Sequence, residues 1–258
     1  VTTLVTPGET VLLDGTAGAI TVQPTAAAVR EFMDLIERQK ELSEEAVLGA
    51  PAGTLKDGGE ILLYANHHPG APFEDLYNLG ARGVGLYRSE YLWLNKEGEP
   101  SEEEQYAAYR ELAEFTGKLS AEKATAAIRV LDIGGDKIVK GISQRSDTRK
   151  VESNPFLGNR SIRYLLSHPD VFKTQLRAIL RASEHGKIRI IYPMVSCIEE
   201  LRAAEKMLGE VRRELDAEGI AYDHEIPIGA MIEVPAAAII ALSSVACQPA
   251  PVRYSWKW

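Results

Sequence analysis

Apolar residues change their spacing several times along this 258-residue chain, and each change marks an element. Between Thr25 and Leu48, Val29, Phe32, Met33 and Ile36 recur at helical intervals with Glu, Arg and Lys among them, which predicts an amphipathic helix. Beyond "GAPAGTLKDGG" come five short, nearly continuous apolar runs: "EILLYAN" (60–66), "GVGLYR" (83–88), "TAAIRVLDI" (125–133), "KIRIIYPMV" (187–195) and "IPIGAMIEV" (226–234). Runs that do not alternate with polar residues read as strands covered on both faces. Helical patterns separate them. Ser101 stands three residues before Glu104 and Ser196 three before Glu199, the spacing of a capping box, while Gly117 and Gly219 supply stops. Strand and helix alternating in this way predict an α/β fold with a parallel sheet. Five such units without a GxGxxG turn favour part of a (β/α)8 barrel over a dinucleotide-binding sheet.

Residues 1–23 are of another kind. "ETVLLDG" and "AITVQ" flank a turn at "DGTAG", and Pro24 breaks the pattern. The expected organisation is a small β segment over 1–24, a connector helix over 25–49, about five βα units over 50–246 and a tail over 247–258.

Composition narrows the function without naming it. The formal net charge of -8 excludes the broad basic face with which proteins displace counterions from nucleic acid, so any anionic ligand has to be captured by local cations. No apolar run reaches the roughly 18 residues of a membrane span, and the N-terminal "VTTLVTPGET" lacks the basic and apolar regions of a signal peptide. A cytoplasmic setting with no membrane and no nucleic acid is the expectation. Cys197 and Cys247 stand in no metal-ligand spacing and are too few for a disulfide framework.

Candidate chemistry sits where strands end. In a parallel barrel the loops leaving the C-terminal strand ends open on one face, so polar residues there converge. Arg88 ends the second run, Arg129 interrupts the third, Arg160 lies in the loop beyond it, and Glu233 ends the fifth. An arginine fork matches phosphate oxygens two at a time, and three arginines repel one another unless an anion joins them. A carboxylate among cations points to a hard metal ion such as magnesium, which takes oxygen ligands and can bridge to a substrate phosphate. The expected ligand is a small phosphorylated acid. His67, His68, His168, His185 and His224 fall in predicted loops or at helix edges and are assigned no chemistry, and Tyr192 and Met194 are read as barrel lining.

"GARGVGLYRSEYLW", "RVLDIGGDK", "NPFLGNRSIR", "RIIYPMV" and "IGAMIEVPAA" together resemble, in order and spacing, the phosphoenolpyruvate-binding barrel of enzyme I of the sugar phosphotransferase system. The likeness runs from about residue 50 to 246. Residues 1–23 resemble the last strands of that family's phosphohistidine swivel domain. What the resemblance implies is phosphoryl transfer from phosphoenolpyruvate to a protein histidine with magnesium, and onward to a histidine-containing phosphocarrier protein, in a homodimer when complete. It implies that Arg88 and Arg129 bind phosphate, that Arg160 contacts substrate and that Glu233 is one of two magnesium ligands, with Lys137 and Asp132 as subsidiary candidates. The family's phosphorylated histidine motif, its second metal carboxylate and its proton-donor cysteine have no match here, so no catalytic residue is assigned. The chain alone is expected not to turn over the substrate, and strand edges near Leu62 and Met231 are expected to stay open. A dikinase or phosphoenolpyruvate synthase is the neighbouring alternative, and a non-catalytic binding or regulatory protein the alternative of another class.

Overall fold

A computed structural model of the chain describes residues 5–48, 55–59, 61–73, 76, 80–94, 96, 98–119, 125–134 and 158–246, with the side chains of 40–48 and 242–246 left aside. Contacts divide it into two compact units, Val1–Ile61 and Leu62–Trp258. In the first unit β1 (Val11–Asp14) pairs antiparallel with β2 (Ala19–Val22), Val11 opposite Val22. The Asp14 carboxylate closes their turn by accepting the N–H groups of Thr16 and Ala17, both at 2.9 Å. The helix α1 (Ala26–Leu48) follows, its first turn capped by Thr25 Oγ1, which accepts the Ala28 N–H at 3.2 Å.

The second unit is built on five parallel strands that lie side by side in chain order: β3 (Ala65–His67), β4 (Gly83–Arg88), β5 (Thr125–Arg129), β6 (Ile188–Tyr192) and β7 (Ile228–Ala230). Such an order, with a crossover between each pair, is that of successive barrel strands. The helices between strands are α2 (Tyr91–Leu94), α3 (Glu102–Lys118), α4 (Ile162–Ser167), α5 (Pro169–Ser183) and α6 (Ile198–Glu218), and α7 (Pro235–Ala246) follows β7. One face of the sheet, carrying Val84, Tyr87, Ala126, Ile128, Ile188, Ile190 and Tyr192, is fully covered and joins a core with Tyr109, Leu112, Phe172, Leu176, Leu208 and Val211 from α3, α5 and α6. Burial of each such side chain contributes roughly 1.5–3 kcal/mol, so sheet and helices hold one another. Close approach demands glycine at the end of this layer. A Cβ on Gly186, in the turn from α5 to β6, would meet the Ala113 carbonyl oxygen at 2.0 Å.

Several expected boundaries shift. The first run forms ladder pairs only from Ala65, and Leu63 and Tyr64 before it are 52% and 37% exposed. The third and fourth strands end at Arg129 and Tyr192, and the chain beyond each continues buried but without ladder pairing. The box predicted at Ser101 and Glu104 forms as expected: Glu104 N donates to Ser101 Oγ and Ser101 N to the Glu104 carboxylate. The second box moves one residue on. The α6 helix starts after Cys197, and Glu200, not Glu199, receives the N–H groups of Ser196 and Cys197, because Glu200 is the carboxylate at the third helical position. Gly219 ends that helix in the left-handed region, at φ 68°. Tyr192 does not line a barrel interior. It meets Phe172 of α5 edge to face at 6.1 Å, because alternation along β6 turns it toward the helices with Ile188 and Ile190.

Candidate functional site

Arg88 and Arg129 are direct neighbours in the register of β4 and β5, the last paired residues at the C-terminal end of that ladder. Two like charges side by side repel, and the chain answers with a carboxylate two residues after Arg88. Glu90 is completely buried in the turn between β4 and α2. Its Oε1 accepts a short hydrogen bond from Arg129 Nη2 and lies 3.4 Å from Arg88 Nε. Arg129 Nη1 reaches Asp132 Oδ2 at 3.1 Å, and Asp132 Oδ1 stands 3.5 Å from Arg160 Nη2 while accepting the Ser161 hydroxyl. The result is a row of alternating charge, Arg88, Glu90, Arg129, Asp132, Arg160, with three cations against two anions. Among the described residues, neither Arg129 Nε nor Glu90 Oε2 finds a hydrogen-bond partner.

Backbone geometry and the helix layer hold this row in place. Gln175, buried on α5, accepts the Leu131 N–H at 2.9 Å and donates to Ser89 Oγ at 3.1 Å and to the Tyr109 hydroxyl at 3.0 Å. Ser89 in turn donates to the Arg129 carbonyl. Tyr109 is held in its phenol form by burial, which raises its pKa. At Gly134 a Cβ would come within 2.7 Å of Arg160 Cβ, so glycine lets the arginine stem pass. Ser161 adopts φ 52°, a left-handed conformation rare outside glycine, fixed by its N–H to Ile133 O at 2.9 Å.

The sequence-based candidates thus divide. Arg88, Arg129, Arg160 and Asp132 come together, and the buried charge at Arg129 has the partners its position required. Glu233 stands apart. Its Oε1 accepts the Met194 N–H at 2.7 Å, and the Met194 carbonyl accepts from Arg163 Nη1 at 3.2 Å. Glu233 is also exposed, although apolar Ile232 and Val234 flank it in sequence. It follows the edge strand β7, with Pro235 and Ala236 beside it exposed as well. Lys137 and Cys247 lie outside the described residues. Among those described, no group of three or more His, Cys, Asp or Glu side chains stands together as a metal site, and one carboxylate falls short of the oxygen set magnesium takes.

Two features escaped the sequence reading. Glu90 was legible only as a possible surface partner of Arg88, although it is the hub of the row. Gln175 could have been found: a polar residue on the apolar face formed by Val171, Phe172, Leu176 and Ile179 has to be satisfied inside. His67 corrects the placement of histidines in loops and at helix edges. It closes β3, is buried, and stacks on Phe73 at 4.3 Å, and burial lowers its pKa.

Comparison with known proteins shows the family. The family model described as "PEP-utilising enzyme, PEP-binding domain" matches residues 42–246. The chain belongs to the PEP-utilising enzyme family. Within it, the chain is 36% identical over 242 residues to a phosphoenolpyruvate-protein phosphotransferase of Mycoplasma capricolum, covering 93% of this chain and 40% of that protein. A Streptococcus equinus protein of the same name is 39% identical over 245 residues, covering 93% and 41%. A multiphosphoryl transfer protein of Rhodobacter capsulatus is 42% identical over 237 residues, covering 91% and 26%. The chain therefore spans about two fifths or less of the length of these PEP-utilising relatives.

Proposed function

We propose that the charged row at the ends of β4 and β5 is a phosphoenolpyruvate site serving phosphoryl transfer to a protein histidine, as in a phosphoenolpyruvate-protein phosphotransferase. The observation that carries the reading is the alternation of three arginines with two carboxylates, mostly buried, in a chain whose net charge is -8. Guanidinium forks held at the strand ends in this way are suited to grip the oxygens of an anion. Arg88 and Arg129 take the phosphate, Arg160 adds a further substrate contact, and Glu90 and Asp132 hold the forks apart and aimed. The transfer breaks the bond between phosphorus and the enolate oxygen and forms one to a histidine nitrogen, and the enolate takes a proton to become pyruvate. Arginines contribute by positioning the phosphoryl group and offsetting its charge. The acceptor histidine, the phosphocarrier protein, the homodimer and the cytoplasmic setting belong to the same proposal. It is supported by the names of the relatives and, for the setting, by there being no helix long and apolar enough to cross a membrane among the described residues.

Magnesium is part of the proposal, with Glu233 supplying one oxygen. When bound, the ion would add positive charge at the substrate's anionic groups. Calorimetry of phosphoenolpyruvate with the chain tests the reading. Arg129→Ala is expected to weaken binding by about 2–4 kcal/mol, since it removes a charge-assisted contact from a shielded site. Unchanged affinity would take Arg129 out of the site. Glu233→Gln should diminish the gain in affinity that magnesium brings while leaving Tm in place. A fallen Tm with the magnesium effect intact would make Glu233 structural.

A further inference from the structure

We propose that His68 is a positioning residue for the Arg88 arm of the mouth, acting through the ring of Tyr91; the inference rests on the reading of that mouth as a phosphoenolpyruvate site. Arg88 is the loosest member of the charged row. Its side chain is 36% exposed, against 10% for Arg129 and 6% for Arg160, and its contact with Glu90, at 3.4 Å, is the longer of the two that Glu90 Oε1 makes. A second contact comes from an aromatic ring. The Arg88 guanidinium carbon lies 5.2 Å from the centroid of Tyr91, within cation–π range.

Tyr91 needs support of its own. It opens α2, a helix of only four residues, and is itself partly exposed. The support comes from the loop after the neighbouring strand. His68, one residue beyond β3, stacks on Tyr91 with ring centroids 4.4 Å apart and planes 12° from parallel. The imidazole is fixed in turn, because its Nδ1 lies 3.0 Å from the Pro69 carbonyl oxygen. A carbonyl only accepts, so Nδ1 carries the proton and the ring is held at one edge. Imidazole, phenol ring and guanidinium thus form a stack running from the loop after β3 to the phosphate arm of β4. A long arginine side chain has many rotamers, and an arm already held near its bound geometry loses less freedom when an anion arrives.

The proposal is tested on the 258-residue chain with two readouts and two substitutions of His68. The first readout needs no ligand: the 15N heteronuclear NOE of the Arg88 Nε–Hε signal, identified by its loss in Arg88→Lys. The second is phosphoenolpyruvate affinity by calorimetry. His68→Ala should lower the NOE toward that of a free side chain and raise Kd about three- to tenfold. His68→Phe, which keeps a stacking ring, should restore the NOE and bring Kd to within about twofold of the parent. In an Arg88→Lys background His68→Ala should add little. Unchanged NOE and affinity in His68→Ala, or His68→Phe as impaired as His68→Ala, would overturn the positioning role. Failure of the unsubstituted chain to bind phosphoenolpyruvate, with the NOE responding as expected, would overturn the substrate reading and leave the stack's role standing.

Discussion

Two networks of arginine and carboxylate in the second unit are built to different ends. On the helix layer Arg177 of α5 bridges Glu102 of α3 at 2.8 Å and Glu218 of α6 at 2.7 Å, and Arg181 joins Glu102 and Glu103 at 2.7 and 2.6 Å. Both arginines there have two carboxylate partners, and Glu103 and Glu218 are well exposed, at 72% and 47%. At the strand ends the same residue types are withdrawn from water, Glu90 wholly so, with Arg129 at 10% and Arg160 at 6% exposure. Water screens the first arrangement, so it adds little to stability and asks for no ligand. The second pays for desolvation, which only close pairing or a bound anion offsets.

The largest expected difference between the two comes from removing one anion from each. Glu90→Ala leaves Arg129 buried beside Arg88 with its main partner gone, and urea denaturation should show a loss of about 3–5 kcal/mol. A loss under 1 kcal/mol would place the strand-end row in the same class as the surface network. Next in size is Arg177→Gln, expected to cost about 0–1 kcal/mol and to matter less as salt is raised. A loss above 2 kcal/mol, insensitive to salt, would erase the contrast from the other side.

The smallest effect is a pH dependence confined to the outer network. The Arg177 hydrogen bond holds the Glu218 carboxyl below its ordinary value of 4.5. A carboxylate whose pKa is lower folded than unfolded stabilises the fold above the unfolded value, and the contribution fades as pH falls through the folded one. The Tm advantage of the parent over Arg177→Gln should therefore be full near pH 7, shrink as pH drops below 4.5, and vanish in stronger acid. An advantage that grew on acidification would reverse the assignment.

Strand order, helix spans and the arginines were open to sequence reasoning because they follow from local periodicity and from charges set inside apolar runs. The third run shows why: Arg129 interrupts "TAAIRVLDI", and a cation there has to be met by something. The hub was not open to it. Glu90 and Arg129 are 39 residues apart in sequence, Asp132 and Ser161 29, and Ser89 and Gln175 86, and no spacing rule reaches so far. The exposure of Glu233 was hidden from sequence for the same reason. Flanking apolar residues report the local run, whereas exposure depends on which strand lies alongside.

By itself, then, the chain's pattern determined that five apolar strands alternate with amphipathic helices, and that cations stand at the ends of two of them, because both are properties of neighbouring residues. Tertiary structure alone decided which charges touch. The register that sets Arg88 beside Arg129, the helix that delivers Gln175 beneath them, and the loop that lays His68 against Tyr91 arise from packing between segments far apart in sequence. Pairwise charge energies change severalfold over a few ångströms and with burial, so a chemistry of buried ions is written in distances that only the folded chain contains.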